Sequence, residues 1–149
     1  MKLFLSTLFI VISIQFSIAQ HSGLGSTVDE PKINHPVLDG CNDENLSENE
    51  KLLCTVEKMN FFFERYMAYP EKAMKAKLEG AVIVSYVVQK DGRVKEVKVM
   101  DDIGKGCGRE AERLVKLMNS LDYKWVPSNP NEEFEETRVF AEVPFQLKE

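Results

Sequence analysis

The residues of this chain that could do acid–base, metal or covalent chemistry are few and scattered. The two histidines, His21 and His35, stand apart, and neither has a second donor at metal-ligand spacing. The run Ile103–Gly108, IGKGCG, ahead of a helical pattern looks superficially like a turn that cradles phosphate. It departs from G-x-x-x-x-G-K-[ST], and neither G-x-S-x-G nor H-E-x-x-H occurs in the chain. Cys107 sits inside that run, where a helix N-terminus can lower a thiol pKa; a small residue filling a tight turn is the simpler reading. Glu132, Glu133, Glu135 and Glu136 form a charge run expected to be a solvated loop. With no constellation for catalysis, the expectation is a chain that is not an enzyme and holds no metal and no cofactor.

Cys41, Cys54 and Cys107 are the three cysteines. Cys41 and Cys54 flank the polar stretch DENLSENEK, and a bridge between them would close a short loop. Such a bridge stabilises by about 3 kcal/mol, by restricting the unfolded chain. The alternative is three reduced thiols that merely pack.

The bridge has a compartment to form in if the chain is exported. Residues 1–19, MKLFLSTLFIVISIQFSIA, place one Lys before an apolar run that closes on Ser17, Ile18 and Ala19. That is the layout of a signal peptide cleaved after Ala19; the rival is an uncleaved anchor, although the run is short for a span of ~20 apolar residues. Net charge is −5, so no basic patch speaks for nucleic acid. At 149 residues, with 44% apolar and 29% charged, the chain suits one ordinary domain.

The elements that must carry any site follow from punctuation and period. Residues 20–36 are polar and aperiodic and read as a flexible tether. Residues 37–67 hold the Cys-bridged segment and an extra N-terminal helix. Ser47 and Glu50 fit a capping box at its start, and Leu52, Val56, Met59, Phe63 and Tyr66 make one apolar face, widened by Phe61 and Phe62. Residues 68–149 hold the rest of the domain. Pro70 suits the start of a short helix and Gly80 its exit. Ala81–Gln89 and the valines after Asp91-Gly92 read as a β-hairpin, with a bulge where the alternation slips between Val94 and Val97. A last helix buries Ala111, Leu114, Val115, Met118 and Leu121, and Trp125 and Pro127 lead into a polar loop.

The final strand, Thr137 onward, alternates Val139, Ala141, Val143, Phe145 and Leu147 on one face, with Pro144 inside it. Proline has no N–H for a ladder, so this strand belongs at a sheet edge. An open edge is a liability unless something pairs with it. The order of elements gives an α+β two-layer domain: a small three-stranded antiparallel sheet with helices packed on one face.

From Tyr69 onward the chain resembles the C-terminal domain of TonB, the energy transducer of diderm bacteria. The resemblance rests on Tyr69-Pro70 with Ala73, Gly80, Asp91-Gly92-Arg93-Val94, Ala111, Trp125 with Pro127, and Val143-Pro144-Phe145. Asp39-Gly40-Cys41 with Cys54, and the turn from Ile103 to Cys107, resemble features of a subset of the family. The resemblance implies a domain that pairs with the TonB box of outer-membrane transporters as an added strand. It implies partner-binding residues Tyr69, Pro70, Arg138, Val139, Phe140, Ala141, Glu142, Val143, Pro144, Phe145 and Gln146. It departs from a full transducer in lacking a long Pro/Lys-rich spacer, so a cleaved leader would leave a free periplasmic module. An uncleaved leader would make it an anchored transducer working with an inner-membrane proton-driven complex. A third outcome is a self-associating periplasmic domain, a homodimer through the edge strand.

Overall fold

The computed structural model describes residues 34–148. The leader and most of the tether therefore lie outside the described residues. In chain order the elements are β1 (Pro36–Leu38), α1 (Glu48–Tyr66), α2 (Glu71–Lys75), β2 (Gly80–Val88), β3 (Val94–Asp101), α3 (Cys107–Met118), β4 (Trp125–Pro127) and β5 (Thr137–Phe145). Strands β3, β2 and β5 form one antiparallel sheet in that spatial order, and β1 pairs with β4 in a second, two-stranded ribbon. The fold is α+β, with the helices on one face of the three-stranded sheet.

Local chemistry sets the boundaries. Ser47 Oγ accepts from the Glu50 N–H, and the Glu50 carboxylate accepts from the Ser47 N–H at 2.8 Å, so α1 opens on a closed capping box. Pro70 caps α2, which ends by Lys75; Gly80 opens β2 rather than ending the helix. At the hairpin Gly92 takes φ +81°, and an added Cβ would stand 2.4 Å from the Trp125 carbonyl oxygen. Glycine is thus required both by the turn and by the close approach of β4. The bulge falls where the alternation slips: Lys95 and Lys98 of β3 oppose Val87 and Ser85, and Glu96 between them has φ +50°.

The core lies between the sheet and the helices. Val82, Val84, Tyr86 and Val88 of β2 meet Phe62 and Phe63 of α1 and Ala111, Leu114, Val115 and Met118 of α3, all at 1% exposure or less. Val143 and Phe145 of β5 join them. Glu110, itself buried, accepts from the Ala68 N–H and from Arg113, which ties the link after α1 to α3.

Two features differ from the sequence reading. The buried face of α1 is Lys51, Thr55, Met59, Phe62 and Phe63, while Leu52, Val56 and Phe61 are exposed. The cause is the β1–β4 ribbon, whose backbone needs polar partners. Lys51 Nζ donates to the Ser128 carbonyl at 2.8 Å, and Thr55 Oγ1 accepts from the Leu38 N–H at 3.2 Å. Those bonds turn the helix toward the ribbon and turn Leu52 and Val56 out; Leu121, expected in the core, is also exposed. The ribbon is the second difference. Trp125 and Pro127 belong to a strand, and residues 34–36, read as the end of a tether, are held. Asn34 Oδ1 accepts from Ser128 Oγ and from the Asn129 N–H, and Pro36 pairs with Pro127.

Candidate functional site

The edge of β5 is the best candidate site, and its chemistry depends on which backbone groups face outward. One pair of hydrogen bonds fixes this. Asn119 Oδ1 accepts from the Val94 N–H, and Asn119 Nδ2 donates to the Val94 carbonyl, both at 2.9 Å. Both backbone groups of Val94 therefore point away from β2. Val94 stands opposite Val88, so the groups of Val88 point toward β5. Consistently, Gln89 one residue on turns its N–H back to the Arg93 carbonyl at 2.8 Å.

Alternation carries this across the sheet. Gly80, Val82, Val84, Tyr86 and Val88 address β5, and their register partners are Phe145, Val143, Ala141, Val139 and Thr137. The other set on β5, Arg138, Phe140, Glu142 and Pro144, turns its backbone outward; Gln146 lies just past the end of the strand. No strand lies beyond β5 among the described residues. Pro144 is thus the outward-facing residue that lacks an N–H, and it removes no bond from the ladder with β2. That explains how the strand accommodates it.

The side chains separate in the same way. Ala141, Val143 and Phe145 are buried toward the helices, with Val139 half-buried beside them, while Arg138, Phe140 and Glu142 are exposed on the opposite face. Phe140 is 62% exposed, an unusual setting for an aromatic ring. Arg138 reaches Glu96 at 2.9 Å, and Lys95 pairs with Glu136 at 2.8 Å. Tyr69 and Pro70 stand at the far end of the strand. The Tyr69 hydroxyl donates to the Leu78 carbonyl, and its ring packs on Phe145. Pro70 lies against the turn at Gly106.

Nothing here assembles an acid–base pair. Cys41 and Cys54 are bridged, and Cys107 is free and buried. Burial, and then the neighbouring Asp102 carboxylate, push the Cys107 thiol up, away from the reactive range. Asp102 itself is occupied: its Oδ1 accepts from the Gly104 and Gly108 N–H groups, both at 2.8 Å. Among the described residues no group of three or more His, Cys, Asp or Glu could hold a metal. No described helix is long and apolar enough to cross a membrane. Among the described residues, shallow cavities include one of about 560 Å³ lined by Phe61 and Leu121 and one of about 430 Å³ lined by Lys72 and Arg109. Sequence reasoning found the edge strand but missed Asn119, whose bond to Val94 fixes the direction of that edge; no local pattern marks it.

Together these features define a small α+β domain that ends on an open edge strand. Residues 65–146 match the family model described as Gram-negative bacterial TonB protein C-terminal, and the chain belongs to that family, which is involved in TonB-dependent transport. The solution structure of the Pseudomonas aeruginosa TonB C-terminal domain is similar at 18% identity, over 56% of this chain and 80% of that one, with a TM-score of 0.45. The solution structure of the Helicobacter pylori TonB C-terminal domain is similar at 20% identity, over 71% of this chain and 88% of that one, with a TM-score of 0.46. No curated protein matches the chain.

Proposed function

We propose that this chain is an exported, non-enzymatic binding module that pairs with the TonB box of outer-membrane transporters by strand addition and so supports energy-coupled nutrient uptake. The observation that carries the proposal is the outer edge of β5, where Arg138, Phe140 and Glu142 hold backbone donors with no strand beside them among the described residues. Strand addition draws its affinity from such groups. The segment from Arg138 through Val139, Ala141, Val143, Pro144 and Phe145 to Gln146 is the docking strand, and Tyr69 and Pro70 brace its end. The bridge between Cys41 and Cys54 suits a periplasmic setting. Whether residues 1–19 are removed decides between a free module and an anchored transducer; the intact mass of the native protein reads it directly.

Titration of the isotope-labelled protein with N-terminal transporter peptides tests the docking strand. Amides in residues 137–147 should shift first; if peptides bind and shift only other regions, the edge is not the site. Self-pairing through the same edge is the competing use, favoured by the exposure of Phe140. It would appear as a concentration-dependent dimer in sedimentation.

A further inference from the structure

Strand β3 is the other outer strand of the sheet, with no strand beyond it among the described residues. Its outer edge is nonetheless occupied at the hairpin end. The Asn119 carboxamide takes both backbone groups of Val94, accepting from the N–H and donating to the carbonyl at 2.9 Å each. A residue of an antiparallel neighbour would make the same exchange with Val94, one bond given and one received. The Val94 N–H needs an acceptor and its carbonyl a donor, so a single setting of the amide serves both. Asn119 is the C-cap residue of α3, so the helix holds it there. The rest of β3 is a poor template. Its register against β2 shifts twice, between Val87 and Ser85 and between Val84 and Ile83. Such bulges interrupt the two-residue repeat that an added strand must match. Strand β5 differs on both counts. One register runs against β2 along its nine residues, and Arg138, Phe140 and Glu142 turn outward at even spacing.

We infer that Asn119 stands in for an added strand at β3 and so confines extension of the sheet to β5. The inference goes beyond the docking proposal and rests on the open edge of β5, whatever segment fills it. A sheet open on both sides is a unit that polymerises. The β5 of one copy would pair with the β3 of the next, in either direction, and every such union would leave one β5 and one β3 free. A contact between two different surfaces runs on past two copies, into a ring or a filament. Pairing of β5 with β5 uses the same surface twice and stops at two copies. With Asn119 in place each copy accepts one strand, from a separate segment or from one other copy.

The test compares the full chain, native and Asn119→Ala, by sedimentation over a concentration series and by hydrogen exchange at the Val94 amide. The native chain should run as a monomer or at most a dimer. Asn119→Ala should form species beyond the dimer that grow with concentration. Its Val94 amide should exchange about fivefold faster, what the loss of one hydrogen bond allows. Adding Glu142→Pro removes an outward donor of β5; it should suppress the growth and leave the fast exchange. Growth that survives Glu142→Pro does not use the β5 edge and overturns the inference. So does an Asn119→Ala chain that exchanges fast at Val94 yet keeps the native size, because β3 is then closed without Asn119. A native chain that itself grows beyond the dimer overturns it as well. If Asn119→Ala does not fold, Asn119→Asp takes its place: the carboxylate still accepts from the Val94 N–H and has no donor for the carbonyl. It should assemble beyond the dimer to a smaller extent, and native size there counts against the inference. The docking proposal is judged separately, by peptide-induced shifts in residues 137–147 of the native chain.

Discussion

The ring of Tyr69 stands edge-on to that of Phe145, with centroids 5.7 Å apart and planes at 82°, while its hydroxyl donates to the Leu78 carbonyl. One side chain thus joins the entry to α2, the approach to β2 and the end of β5. Tyr69→Phe keeps the ring pair and loses only the hydroxyl. It should cost about 1 kcal/mol, the usual net value of one hydrogen bond. Tyr69→Ala also loses the aromatic pair, worth about 0.5–1.5 kcal/mol beyond area burial, and should cost clearly more. Urea unfolding of the two variants gives the comparison. A Tyr69→Ala variant as stable as the native chain would show that the strand end needs no brace.

The direction of the β5 backbone separates folding from docking. Glu142 faces outward, so Glu142→Pro removes a donor that no strand of the fold uses. Ala141 faces β2, and Ala141→Pro deletes a ladder bond and orphans the partner on Val84. The Ala141 variant should lose about 1–3 kcal/mol of stability. The Glu142 variant should stay closer to native stability and lose affinity for an added strand. Thermal melts paired with peptide titration distinguish the two, and equal losses of stability would contradict the assigned direction.

Cys41 and Cys54 are bridged across a sequence separation of 13, with Cα atoms 5.7 Å apart. Replacing both by Ala should lower stability by about 2–4 kcal/mol, most of it through the freed unfolded chain. Reducing agent should lower the unfolding midpoint of the native chain and leave that of the double variant unchanged.

Cys107 should resist thiol reagents in the native state and react once the chain unfolds, because it is buried and its neutral form is preferred. The sign of the pH effect follows from the raised pKa. The folded state holds the proton more tightly, so the stability from Cys107 is complete below the ordinary thiol range and is lost as pH rises through the raised folded value. Tyr86, whose pKa burial also raises, acts in the same direction at higher pH. Unfolding midpoints measured from neutral to alkaline pH should fall, and the early part of that fall should be missing in Cys107→Ala.

Gly92→Ala should cost about 2 kcal/mol or more, since the new Cβ meets the Trp125 carbonyl and the left-handed turn disfavours any side chain. The change lies at the hairpin end of the sheet, beside the start of β5 where Val88 pairs with Thr137, and should leave peptide contacts around Glu142 intact. Stability and titration measured on the same variant would show whether the two ends of the sheet are independent.

Much of this fold is legible where period and punctuation agree. Asp91-Gly92 marks the hairpin, the slipped alternation after Val94 marks the bulge at Glu96, and Ser47 with Glu50 marks the start of α1. The alternation from Val139 to Phe145, broken by Pro144, marks an edge strand. The face of α1 was not legible, because Leu52, Leu53, Val56 and Phe61 put apolar residues almost all round the helix. Polar groups on the distant ribbon chose among them, through Lys51 and Thr55. The ribbon was hidden for a related reason: its three-residue strands are too short to show a period, and they lie far apart in the chain. The edge strand was legible, but its outward set was not, since that depends on one long-range contact between Asn119 and Val94.

The bridge between Cys41 and Cys54 also fixes the route that tension takes through the domain. A pull on the chain ahead of Asn34 first meets the anchorage of Asn34 on Ser128 and Asn129 and the three register pairs of β1 with β4. If these yield, tension reaches Cys41 and crosses the sulfur–sulfur bond directly into the middle of α1 at Cys54. Residues 42–53, which include the Ser47 cap and the first turns of α1, form a side branch that the closed bridge bypasses. Opening the bridge would put that branch in series and lengthen the leash, so the oxidation state of one cysteine pair would set how abruptly a pull applied ahead of Asn34 reached β5.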